Sequence, residues 1–162
     1  MNGKTEMPKK LTKAYLDERD KRLSAVHEVG HGIVAKLKWP NKQQYLWIHR
    51  NGDCYDPMEE KTWLGHIMLL PSMPKRKDSA FAVAGIVAEW LDWLPDVTVD
   101  EIIEGWDTDD VMPSPSDLYF CASDWRTRSR AVVQALSILR EKKPVADGLV
   151  LELIEQQWLI IA

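Results

Sequence analysis

Apolar residues recur along this chain in two rhythms, and the change from one to the other marks out its elements. Over 12–38, Leu23, Val26, Gly30, Ile33, Val34 and Leu37 fall at helical spacing, which predicts a helix with one apolar stripe. Trp39-Pro40-Asn41 ends it. Residues 44–50 (QYLWIHR) and 62–70 (TWLGHIMLL) read as strands, with the turn dipeptide Asn51-Gly52 between them and Pro71 and Pro74 after them. An Ala-rich apolar run over 77–94 predicts a second helix. Thr98 and Glu101 have capping-box spacing and open a short helix to about residue 106. Residues 107–115 read as loop. Ser116 is placed to cap a helix that begins at Asp117, and helical periodicity continues to about residue 140. Pro144 suits the first position of a last helix running to about residue 161. The expected fold is mostly α, an array of about six helices with one β-hairpin, in a single domain over 1–162 whose residues 1–11 form a flexible lead.

A chain of 162 residues, 45% apolar and 28% charged, is long enough for one real core and too apolar to remain disordered. No run approaches the roughly 18 uninterrupted apolar residues of a membrane-spanning helix. The opening residues are polar and basic with no apolar stretch behind them, unlike a secretory signal. Cys54 and Cys121 are too few for a disulfide framework and suit a reducing compartment. A cytoplasmic protein with no membrane partner is therefore expected. The net charge of -4 gives no basis for a nucleic-acid partner. Its distribution is uneven: residues 78–125 carry 12 acids and no Lys or Arg. Such a segment is either a solvated face or a set of carboxylates gathered near a bound cation.

His27-Glu28-Val29-Gly30-His31 is the sharp motif. Histidines four apart on a helix share a face, so both imidazoles can hold one Zn²⁺, and Glu28 beside the first can act as general base on water. Chance alone produces H-E-x-x-H in about one sequence of this composition in 150, so context matters. Here the motif lies inside an amphipathic helix, where the chemistry requires it. Gly30 and Gly32 each cost about 1 kcal/mol in a helix interior, which implies that another element packs closely there. A catalytic zinc takes three protein ligands. Val34 and Leu37 stand where a metzincin needs Gly and His, so that class is excluded. Glu89 on the 77–94 helix and Asp117 at a helix start are both candidates, and His49 and His66 lie in the strands. The helix dipole favours a carboxylate anion at Asp117.

The order of motifs resembles a known family. Residues 24–35 (SAVHEVGHGIVA) look like the H-E-A-G-H-A helix of the FtsH-type zinc peptidase domain. Residues 65–71 (GHIMLLP) resemble its following strand, G-x-x-x-x-x-P, and 84–91 (AGIVAEWL) its helix G-G-R-x-A-E-E-L. Residues 116–118 (SDL) are similar to its S-N-D-L/I segment, which supplies the third ligand. The resemblance spans about 20–140. It implies a mostly helical domain with a small β-ribbon, His27, His31 and Asp117 as zinc ligands, and Glu28 as catalytic base. It also implies that the strand bearing Gly65, His66, Ile67 and Met68 binds peptide by strand addition. Glu89 is then expected to orient a ligand histidine.

FtsH proteins also carry a membrane anchor and a P-loop ATPase, and this chain shows neither pattern. One of the family's paired glycines is Ala84, and 91–115 has no counterpart. The expected activity is thus a stand-alone, ATP-independent zinc metalloendopeptidase acting on peptides or unfolded protein. The alternatives are a non-catalytic binding or regulatory domain that keeps the fold, and an accessory subunit fed by a separate ATPase. A homo-oligomer is compatible with all three.

Overall fold

The computed structural model describes residues 12–107, 114, 115, 117 and 125–162. The expected lead over 1–11, and Ser116 and Leu118 of the segment expected to supply a third ligand, lie outside the described residues. Helix α1 (Lys13–Lys38) begins where Thr12 Oγ1 accepts the Tyr15 amide at 3.2 Å, and it ends at Trp39, one residue before a proline that cannot continue it. Strands β1 (Gln43–Arg50) and β2 (Trp63–Leu70) then pair antiparallel, with Trp47 opposite His66. Helix α2 (Ser79–Trp93) is capped by Asp78, which accepts the Phe81 amide at 2.9 Å. Helix α3 (Val99–Asp107) opens on the capping box read from the sequence: Thr98 N–H donates to Glu101 Oε2 at 2.7 Å. Helices α4 (Trp125–Glu141) and α5 (Lys143–Gln156) follow.

The last helix does not reach residue 161. It stops at Gln156, the chain turns through a left-handed Gln157 (φ 62°), and strand β3 (Trp158–Ile161) pairs antiparallel with β1. The expected hairpin is therefore part of a three-stranded sheet of order β2-β1-β3. The sequence WLII is apolar, ends in two β-branched residues and offers no polar side for a helical turn, whereas pairing with β1 buries Leu159 at 4% exposure. Among the described residues the protein has five helices and this small sheet.

Helix α1 runs through the middle of the protein. From Ser24 to Ala35 it is buried on every side except at His27, whereas Leu37, expected on the core stripe, is 52% exposed. A single stripe describes a helix with one solvated face, and α1 has none along this stretch. Its glycines explain how it is enclosed. A Cβ on Gly30 would lie 2.6 Å from both the Ala84 carbonyl oxygen and Ala88 Cβ of α2, and one on Gly32 would lie 2.9 Å from Ile161 of the sheet. Close packing on both sides holds the motif turn rigid.

The start of β2 is fixed to α1 by polar contacts. Buried Asp20 accepts the Thr62 amide at 2.8 Å and an Arg19 guanidinium N–H at 2.7 Å, while Ser24 Oγ donates to the Trp63 carbonyl at 2.9 Å. Asp20→Ala leaves a buried N–H without its partner and is expected to cost about 1–3 kcal/mol in urea unfolding. A midpoint equal to wild type at equal slope would show that this contact does not hold β2. No helix among the described residues is long and apolar enough to cross a membrane.

Candidate metal centre

The burial of α1 turns His27 and His31 toward α2 and toward the turn that carries Asp117. Each ring has one nitrogen already engaged. His27 Nδ1–H donates to Glu89 Oε1 at 2.6 Å, and His31 Nδ1–H donates to the Phe81 carbonyl at 2.7 Å. Both acceptors sit on α2, and an oxygen that can only accept holds an N–H at each Nδ1, so both Nε2 atoms offer lone pairs once a metal ion replaces the proton that His27 shares with Asp117. Those atoms are 3.1 Å apart, and each lies 3.2 Å from an oxygen of Asp117. Three electron-pair donors thus converge on one point. Bonds of about 2.0–2.1 Å in a tetrahedral site put ligand atoms about 3.3 Å apart, so these donors lie within a few tenths of an ångström of a zinc-like set.

Asp117 reaches this point from a separate helical turn. Its amide donates to Ser114 Oγ at 3.2 Å, so Ser114, followed by Pro115, takes the capping role that the sequence reading gave to Ser116. Ser-x-x-Asp with Pro second is a helix-start pattern, and that signal was present in the sequence. The carbonyl of Phe81 had no such signal, because any residue offers one.

The carboxylates around the two histidines favour positive charge at this point. Burial opposes a charge on His27, but hydrogen bonds to Asp117 and Glu89 outweigh it and push the ring up to about 10. Burial would raise Asp117 too, yet the two histidines hold it far below the usual carboxylate range. The His27 contact likewise holds Glu89 down against its burial. Glu28 goes the other way: burial pushes its carboxyl up and outweighs the opposing pull of His27 and His31. One buried carboxyl with raised proton affinity therefore stands beside three groups arranged to bind positive charge.

Glu28, His27, His31 and Asp117 line a cavity of about 750 Å³ that runs along β2. Gly65, His66 and Ile67 also line it, Met68 does not, and Ile67, Met73, Phe81 and Ile86 form its apolar side. Gly65 is required by contact: a Cβ there would lie 2.7 Å from Glu28 Oε1. Among the described acids of 78–125, Glu89 and Asp117 are the ones that line the site. Asp78 caps α2, Asp92 pairs with Arg22 at 2.6 Å, and Asp109, Asp110 and Asp124 lie outside the described residues. His49 and His66 pair with each other on the exposed face of the sheet, apart from this donor set.

Gly85 of α2 carries a further requirement, since a Cβ there would lie 2.4 Å from His27 Nε2. Gly85→Ala should displace the ring from the donor set and weaken metal binding by at least about 10-fold, the scale seen when a ligand's orientation is disturbed. Wild-type affinity in a zinc-competition titration would show that the ring is not held where Gly85 permits it.

Searched against known families, the chain matches no family model, and no curated protein matches it.

Proposed function

We propose that this protein is a zinc-dependent metallopeptidase that hydrolyses peptide bonds in peptides or unfolded protein, with a fold like the FtsH peptidase domain and no need of ATP. The observation that carries the reading is the convergence of His27 Nε2, His31 Nε2 and the Asp117 carboxylate beside buried Glu28 in one cavity. The donor set suits zinc: two neutral imidazoles and one carboxylate, each imidazole oriented by an acceptor on its far nitrogen. A zinc ion held there supplies Lewis-acid polarisation of the scissile carbonyl and makes water acidic enough to lose a proton near neutrality. Glu28 takes the proton from the attacking water and passes it to the leaving amine. Glu89 keeps His27 in the tautomer that presents Nε2. Strand β2 is at the edge of the sheet and lies along the cavity, so an extended peptide can lie against it. Cytoplasmic location and self-association belong to this proposal and rest on the sequence alone, whereas a partner ATPase belongs to the accessory-subunit alternative.

The test is cleavage of casein by the purified chain without ATP, before and after a chelator and with zinc restored. Activity that the chelator removes and zinc returns is expected. A chain that holds stoichiometric zinc and cuts nothing would establish the non-catalytic reading. Cleavage that appears only when an ATPase is supplied would establish the accessory-subunit reading.

A further inference from the structure

The two histidines outside the metal centre meet across the sheet. His49 on β1 is opposite Leu64 and His66 on β2 is opposite Trp47, so the two imidazoles are diagonal neighbours on one exposed face. Their planes differ by 6°, their centroids are 5.1 Å apart, and their Nε2 atoms are 2.9 Å apart. Those separations place both nitrogens on the line between the rings, head to head. His49 has its other nitrogen engaged: Nδ1–H donates to the Arg50 carbonyl at 2.9 Å. Its Nε2 therefore offers a lone pair, and the atom it meets is the matching nitrogen of His66. His66 Nε2–H closes this gap by donating to that lone pair in a neutral hydrogen bond, and a metal ion can take the place of its one proton.

We infer that His49 and His66 form a second metal site, for a borderline first-row cation such as Cu²⁺ or Zn²⁺, at the mouth of the cavity that holds the first. Imidazole suits these ions, and Cu²⁺ ranks highest among them for a given nitrogen site. Bonds of about 2.0–2.1 Å to each nitrogen require the rings to tilt or part by no more than about 1 Å, which exposed side chains on adjacent strands achieve by torsion. The Arg50 carbonyl does for His49 what Glu89 and Phe81 do for the histidines of the first centre. Trp47 stacks on His66, with centroids 5.1 Å apart, and His66 and Trp47 both line the cavity. An ion bound here thus touches an indole reporter and faces the space through which a substrate of the first site would pass.

The full chain is titrated at pH 7 with Cu²⁺ and separately with Zn²⁺, alongside His49→Gln, His66→Gln, His31→Ala and Trp47→Phe. Wild type is expected to bind one ion more than either His49→Gln or His66→Gln, or to bind that ion more than about 10-fold more tightly, since losing a ligand costs at least as much as losing an outer partner. Cu²⁺ should quench a fluorescence component that is absent in Trp47→Phe and does not respond in His49→Gln. Equal stoichiometry and affinity in wild type and both histidine variants would overturn the inference, whatever His31→Ala does. A His31→Ala protein that binds as many ions as wild type would instead count against the first centre and leave this one standing.

Discussion

Glu28→Gln should lower peptide cleavage by about 10²- to 10⁴-fold while leaving metal content near wild type. The carboxylate is assigned to proton transfer, and the donor atoms that converge belong to His27, His31 and Asp117, so replacing it with an amide removes the base and spares the donor set. Stability should not fall. Burial already disfavours the charged form of Glu28, so the neutral isostere removes a cost, and the close contact with Gly65 is kept by a side chain of the same shape. The measurements are cleavage rate, metal content by elemental analysis and melting temperature on one preparation. Full activity in this variant would end the proposed mechanism. Loss of metal would move Glu28 into the ligand set.

The second large effect is on binding itself. Asp117→Ala should remove most of the zinc, because two imidazoles one helical turn apart remain and the third donor, from a distant turn, is gone. Glu89→Gln, measured beside it, should weaken affinity by about 10- to 100-fold without emptying the site, since Glu89 meets the far nitrogen of His27. Zinc at about 100 times its Kd should raise the melting temperature of wild type by about 5–10 °C. That shift should be absent in Asp117→Ala. The reverse order of effects, with Glu89 the more damaging loss, would exchange the two carboxylates and place the protein nearer the thermolysin pattern.

The same contrast separates what was legible in the chain from what was not. His27, Glu28 and His31 could be read because their relation is local: a helix with 3.6 residues per turn puts i and i+4 on one face whatever surrounds it. The hairpin, the Thr98–Glu101 capping box and the stop at Trp39 were legible for the same reason, since each is decided within a few residues. The sequence also offered Glu89 and Asp117 as leading third donors, with His49 and His66 as lesser ones. It could not choose between Glu89 and Asp117 by spacing. That choice depends on how α2 lies on α1, which Gly30, Ala84 and Ala88 decide by close packing, and it leaves Glu89 at Nδ1 and Asp117 at Nε2 of the same ring. The Phe81 carbonyl behind His31, the return of Trp158–Ile161 as a strand and the His49–His66 pair are likewise products of packing and register. Local spacing specifies which donors exist, because backbone geometry is short-ranged. Where those donors point, and which lone pairs are left to meet, is settled by contacts between residues 50 to 90 positions apart.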